Sequence, residues 1–404
     1  MTILVLNCGS SSIKYQVIDM TSNSHKLLAK GLVERIGQHE GVLKHRPTGK
    51  DTFELIEEVP DHTAGINIIL DALTDPVHGV LNNLSELNAV GHRVAHGGEY
   101  FNDSAIVNAD VKKKIESCFE LAPLHNPAHM KGIQAIEHIL PTIPQVVTFD
   151  TSFHQSIPAY NYLYAIPYKY YTDYGVRKYG FHGTSHRFVG MRGCEMTGLD
   201  FEKSKVITCH IGNGASITAI LNGKSYDTSM GFTPADGLIM GTRCGEIDPG
   251  ALIYIGEKSG RTYERMNEFI NKKCGVEGFT DISSDMRDIE NAAAEGNERA
   301  RLILDMYFER IKKFIGGYAA QMGGVDLIVF TGGVGENQWP MREAVCEGLE
   351  FMGVKFDKAA NHGVKGQDKI LSMPDSKVKV VVASTDEELV IASDTFRLLK
   401  KRSE

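Results

Sequence analysis

The sequence contains no run of about 18 apolar residues, the length a helix needs to cross a bilayer, and no basic segment at its N-terminus. These absences argue against membrane insertion and export, and they predict a cytoplasmic protein. Positive charge is also short: 43 Lys and Arg stand against 51 Asp and Glu, a net charge of −8, which disfavours nucleic acid and anionic membranes as partners. Any anionic ligand must then be held by local groups. The seven cysteines (Cys8, Cys118, Cys194, Cys209, Cys244, Cys274, Cys346) are odd in number and show no C-x-x-C spacing, so reduced thiols are expected. There is no low-complexity linker. Gly223-Lys224-Ser225 has Thr218 where a P-loop needs its first glycine, so that motif is excluded.

What is present is the composition of an ordinary globular protein, at a length of 404 residues that exceeds the usual limit of a single core. Two domains are expected, and a cleft between domains is a natural ligand site. Ile3-Leu4-Val5-Leu6 and Ile13 to Ile18 read as strands joined by a Gly/Ser turn, and Val206 to Ile211 and Ser216 to Ile220 repeat this around Gly212-Asn213-Gly214. The repetition suggests a duplicated architecture. Further strands at Ala89 to Val94, Gln145 to Phe149, Asp326 to Phe330 and Lys377 to Ala383 alternate with helices, which indicates an α/β fold. Glu298 to Met322 reads as one long amphipathic helix carrying Leu302, Ile303, Met306, Phe314, Ile315 and Tyr318, and Asp386 to Lys400 as a closing helix with Leu389, Ala392, Phe396 and Leu399 on one side. The domain boundary falls most naturally after Asp150.

Without a basic patch, phosphate binding calls for backbone N–H groups, which approach a ligand where Gly or small residues line the chain. Three such stretches occur: Gly9 to Ser12, Gly212 to Gly214, and the loop Gly332-Gly333-Val334-Gly335-Glu336-Asn337. Each alone also reads as an ordinary turn. His125 stands before Asn126-Pro127, read as an N-cap followed by proline at the first helical position, and His182 before Gly183-Thr184-Ser185. Both histidines are therefore expected at helix N-termini, where anions are favoured by about 0.3–1 kcal/mol. The i, i+4 pairs His125/His129 and His182/His186 admit zinc instead, but no H-E-x-x-H occurs and no third ligand is evident. Arg93 and Arg243 are flanked by glycines, and Asp150 ends a strand. Glu387, three residues after Ser384, also fits a capping box.

Asn7-Cys8-Gly9-Ser10-Ser11-Ser12-Ile13-Lys14-Tyr15, Gly91-His92-Arg93, Ala122 to Pro127, Phe149 to Gln155, Tyr179 to His186, Cys209 to Gly214, Met240 to Arg243, Ser284 to Asp288, Gly333 to Asn337 and Thr385 to Leu389 together closely resemble the acetate kinase (acetokinase) family. The resemblance spans nearly the whole chain and includes the related propionate kinases. It implies two duplicated ribonuclease-H-like domains of the acetate and sugar kinase/Hsp70/actin superfamily around a nucleotide cleft. They would be an N-terminal domain of residues 1–150 plus about 388–404 and a nucleotide-binding domain of 151–387. It further implies a cytoplasmic homodimer that exchanges a phosphoryl group between ATP/ADP and acetate/acetyl phosphate. By matching motif, Asn7 and Glu387 would bind Mg²⁺, with Mn²⁺ as an alternative. Lys14, His210, Ile211, Gly212, Asn213, Gly214, Asp285, Met286, Arg287, Gly333, Val334, Gly335, Glu336 and Asn337 would hold ATP. Arg93, Ala95, Leu124, His125, Phe181 and Pro234 would bind the acid, and Asp150, His182 and Arg243 would be catalytic.

A small carboxylic acid has a pKa of about 4–5 and is ionised at neutral pH, so it needs no general base. Asp150 is accordingly expected to orient a metal-bound water or a neighbouring side chain. Ala95 stands where acetate kinases commonly carry Val, which leaves room for one more methylene and predicts appreciable propionate turnover, with propionate kinase as the alternative main activity. An actin- or Hsp70-like ATPase would share the phosphate loops without needing Arg93, Arg243 and His182.

Overall fold

The computed structural model describes residues 1–21 and 24–403. Residue 404, at the end of the segment assigned above to the N-terminal domain, and residues 22 and 23 lie outside it. The chain divides into two units, the first made of Met1–Gln155 with the stretch from Asp386 onward, the second of Ser156–Thr385.

The first unit is built on an eight-stranded sheet. Its strands are β1 (Thr2–Cys8), β2 (Ser12–Met20), β3 (His25–Glu34), β4 (Gly41–Pro47), β5 (Phe53–Glu57), β6 (Leu87–Val94), β7 (Ala105–Ile106) and β8 (Gln145–Phe149), in the order β5-β4-β3-β2-β1-β6-β8-β7. β1 reads as an unbroken apolar run because both its faces are covered. Leu4 and Leu6 pack into one core with Ile66, Ile69 and Ile136, from helices His62–Thr74 and Asn126–Ile139. Ile3 and Val5 face the other way, against Ile391 and Ala392 of the closing helix Glu387–Ser403.

The second unit carries β9 (Lys205–Ile211), β10 (Ala215–Leu221), β11 (Lys224–Thr228), β12 (Leu327–Thr331), β13 (Lys369–Ile370) and β14 (Lys379–Val382), in the order β11-β10-β9-β12-β14-β13. From one edge the pairings run antiparallel, antiparallel, parallel, parallel, antiparallel. The run β3-β2-β1-β6-β8-β7 of the first unit has the same succession. The architecture is thus duplicated, with β4 and β5 added to the first copy. Gly223 belongs to a tight hairpin between β10 and β11, where Asn222 and Gly223 both take positive φ (51° and 76°), the geometry such a turn requires.

Three local expectations are corrected. Gly332–Asn337 is a short helix, not a loop: the Glu336 carboxylate accepts from Gly332 N at 3.0 Å and Thr385 N at 3.1 Å, and these bonds fix a glycine-rich stretch of low helix propensity. The closing helix is capped by Asp386, whose Oδ1 accepts from Leu389 N at 2.9 Å, so Ser384 and Glu387 do not form its capping box. On the long helix Glu298–Gln321 the buried stripe is Ile303, Tyr307, Ile311, Ile315 and Tyr318, while Leu302 and Met306 face outward. Among the described residues no helix is long and apolar enough to cross a membrane.

Candidate active site

In the first unit, adjacent strands bring the motif residues together. Asn7 on β1 pairs with Lys14 on β2, and Leu6 pairs with His92 on β6, so Asn7 sits one step from Arg93 across the sheet. Arg93 in turn pairs with Thr148 of β8, and Asp150 follows just beyond that strand's end. The result is a two-point fork: Arg93 Nε donates to Asp150 Oδ1 at 3.0 Å and Nη2 to Oδ2 at 2.6 Å. Asp150 is almost wholly buried, and its charge raises the Arg93 guanidinium above its ordinary range. Two buried histidines of the same unit are held neutral. Burial pulls His92 down to about 4, with its Nε2 2.7 Å from Gln145 Oε1. Burial, reinforced by the Arg93 charge, holds His129 well below its ordinary value, and His129 Nδ1 accepts from Ala95 N at 3.2 Å.

His125 occupies the N-cap of helix Asn126–Ile139 and makes no side-chain cap bond. Asn126 is not the cap. Its buried amide instead exchanges bonds with the backbone of His96, at 3.1 and 2.8 Å, which ties the helix start to the chain after β6. Ala95 is buried, and Leu124 is 59% exposed. Lys14 forms an ion pair with Glu388, its neighbour in the same unit. Burial pushes the Glu387 carboxyl up, opposed by the Arg93 charge.

The second unit holds a cavity of about 410 Å³ walled by Gly212, Asn213, Gly241, Ser284, Asp285, Met286, Arg287, Tyr307, Gly333, Val334, Asn337 and Gln338. Eight of the residues expected to hold ATP are thus in its wall. Asp285 caps helix Met286–Ala294 and binds the Arg287 side chain at both oxygens, which pulls its carboxyl down to about 2. Ile211 and Gly335 are buried behind the wall, and Glu336 braces it through the bonds described above.

Beside this wall stand His182 and Arg243. A Cβ built on Gly214 would lie 3.6 Å from Arg243 Nη1 and 3.7 Å from His182 Nε2, so both side chains approach the bare face of this glycine. Arg243 Nη1 donates to Pro234 O at 3.2 Å, and burial lowers its pKa. His182 caps helix Gly183–Thr197 in a left-handed conformation (φ 56°), uncommon for a residue with a side chain. Its ring stacks on His210 at 4.2 Å, and its Nδ1 lies 2.9 Å from Ser216 Oγ. The same Ser216 hydroxyl meets His186 Nε2 at 2.7 Å, while His186 Nδ1 meets Thr208 Oγ1 at 2.7 Å. His210 Nδ1 lies 2.8 Å from Ser185 Oγ. Hydroxyls thus set the orientation of all three imidazoles. Phe181 is buried in the core of this unit.

Sequence reasoning missed Gly241, Ser284, Tyr307 and Gln338 in the cavity wall and the linking hydroxyls of Ser185, Thr208 and Ser216. A serine or threonine on a buried strand carries no periodic signal. Tyr307 was detectable only as one more apolar position on a helix.

The class of protein is shown by comparison with solved structures: over nearly its whole length the chain resembles small-molecule kinases. The structure of an acetate kinase from Porphyromonas gingivalis matches with a TM-score of 0.95 at 51% identity, covering 98% of this chain and 99% of that one. That of a propionate kinase from Francisella tularensis matches with a TM-score of 0.89 at 38% identity, covering 98% and 99%. In sequence, an acetate kinase of Parabacteroides distasonis is 54% identical over 404 residues, all of both chains. Residues 2–393 match the Acetokinase family, and the chain belongs to that family.

Proposed function

We propose that this chain is an acetate kinase, which transfers the γ-phosphoryl group of ATP reversibly to acetate and also accepts propionate. The observation that carries the reading is the Arg93–Asp150 fork. A bare carboxylate substrate needs a fixed cation more than a base, and Asp150 with both oxygens on Arg93 is suited to aim that cation. Arg93 would hold the acid, with Ala95, Leu124, His125, Phe181 and Pro234 around its alkyl end. The nucleotide would lie against Gly212 to Gly214, Asp285 to Arg287 and Gly333 to Asn337, with His210 and Lys14 as further contacts. His182 and Arg243 would donate to the phosphoryl oxygens in transit. Removing one such preorganised donor typically costs about 2.7–4 kcal/mol. Bringing two anions together in line is the hard step, so positioning and charge neutralisation are the main work.

Asn7 and Glu387 fit a hard divalent cation. Both offer oxygen, and the Glu387 carboxylate has neither hydrogen bond nor ion pair among the described residues while burial raises its pKa, the condition in which a cation is welcome. Mg²⁺ bound there would neutralise phosphate charge, and Mn²⁺ would serve as a substitute. The family resemblance supports a cytoplasmic homodimer, with the two units as its domains.

The buried Ala95 methyl, smaller than valine, favours propionate as a second substrate. Trapping the acyl phosphate with hydroxylamine gives kcat/KM for both acids. A preference for acetate above about a thousandfold exceeds what one methylene in an open pocket allows and would sink the second substrate. ATP loss without hydroxamate from either acid would favour an ATPase instead.

A further inference from the structure

Five of the seven cysteines (Cys8, Cys118, Cys194, Cys209 and Cys346) are buried, and burial pushes each of these thiols up. Cys244 and Cys274 are partly exposed and stand on two segments that pack together; Cys244 Sγ donates to Gly245 O at 3.3 Å, and the two thiols influence each other's ionisation. The backbone segments that carry them are bound together beside this pair. Cys274 N donates to Thr242 O at 3.1 Å, Val276 N to Met240 O at 2.9 Å and Glu277 N to Gly241 O at 2.9 Å. Between them Gly275 takes φ 68°, and a Cβ there would lie 2.2 Å from Met240 O and 2.7 Å from Arg243 N, so the segments press together at the residue that precedes Cys244.

This influence differentiates the two sulfurs. Interaction with Cys274 is the main influence that lowers the Cys244 thiol, with Arg310 assisting and burial and Asp236 opposing, while Cys274 is raised. Cys244 is therefore the more readily ionised of the two thiols.

We propose that Cys244 and Cys274 form a redox site which a hydroperoxide closes into an intrachain disulfide, and that closure displaces the adjoining Arg243. The Cys244 thiolate attacks the peroxide, the O–O bond breaks, and Cys244 becomes a sulfenic acid as hydroxide leaves. The Cys274 sulfur then attacks the Cys244 sulfur. An S–S bond forms, the sulfenic hydroxyl leaves, and with the Cys274 proton it departs as water. The two thiols lose two electrons and the peroxide gains them. A dithiol reductant reverses the change. Closure brings the two sulfurs to about 2.05 Å, a movement that the backbone next to Arg243 must follow. The effect on turnover rests on the role proposed above for Arg243; bridge formation does not.

The test is a titration of the full-length protein with hydrogen peroxide, followed by peptide mapping without reductant and by acyl phosphate formation. The expected result is a linked pair of peptides containing Cys244 and Cys274, a fall in activity of about ten- to a hundredfold, and recovery with dithiothreitol. Cys274→Ser should form no bridge and should accumulate a Cys244 sulfenic acid that dimedone captures. Cys244→Ser should leave Cys274 unmodified at the same peroxide concentration. Persistent sulfenic acid at Cys244 of the unsubstituted protein, or a bridge with unchanged turnover, overturns the proposal. If unoxidised protein forms no acyl phosphate, the kinase reading fails, and mapping still shows whether the bridge forms.

Discussion

Asp150 grips Arg93 through both carboxylate oxygens, at 3.0 Å to Nε and 2.6 Å to Nη2. An acid so engaged has little freedom to carry protons and much capacity to aim a guanidinium. Asp150→Asn should lower kcat/KM for acetate by about a hundredfold, as expected for a misplaced positioning group, and leave the KM for ATP nearly unchanged. Steady-state kinetics across pH decide the role. If Asp150 is a proton carrier, the substitution should also remove a limb of the pH–rate profile; a positioning role keeps the profile's shape.

His182 is a second test of positioning. Its left-handed backbone is uncommon for residues other than glycine and tolerated best by Asn and Asp. His182→Asn should thus fold with a stability change below about 1 kcal/mol while kcat falls about 10²–10³-fold through loss of a transition-state donor. Ser216→Ala, which frees both His182 and His186 from the hydroxyl they share, should cost less, about tenfold in kcat. Thermal melts and kcat on the same preparations separate the two effects.

The pH dependence of folding should bear the mark of His92. Its folded pKa, about 4, lies below the ordinary imidazole value of 6.5 because burial disfavours the charged ring. A depressed pKa contributes stability that is complete above pH 6.5 and lost as pH falls towards 4, amounting to about 3 kcal/mol for a wholly buried group. Urea unfolding at pH 7 and pH 4.5 should show this loss, and His92→Gln, which cannot charge, should show a smaller one.

Ala95 should set the balance between acids. Ala95→Val removes space for one methylene and should lower kcat/KM for propionate relative to acetate by about 10–200-fold. An unchanged ratio would remove Ala95 from the acyl pocket.

Much of the architecture was legible because strands covered on both faces are written as apolar runs: Ile3 to Leu6 and Leu327 to Phe330 lie in the centres of their sheets. Helix ends were less legible, since several side chains compete for the same backbone donors. Asp386 took the cap that Ser384 also offered, and Asn126 turned back to His96. The glycines after β12 suggested a loop until the Glu336 carboxylate, five residues from Thr331, was seen to tie Gly332 and Thr385 together. At the site, charged and glycine-flanked residues declared themselves in sequence, whereas Ser216, which orients two histidines, and Tyr307, in the cavity wall, did not. Their contribution depends on which elements meet, and a strand's neighbours are not written in its own residues.

In the proposed reaction the phosphoryl group passes from ATP to a carboxylate. Phosphorus NMR of the protein with ATP, Mg²⁺ and acetate follows every phosphorus at once. Transfer predicts an acyl phosphate signal growing in step with ADP. ADP accompanied only by inorganic phosphate, in the presence of acetate or propionate, would contradict it.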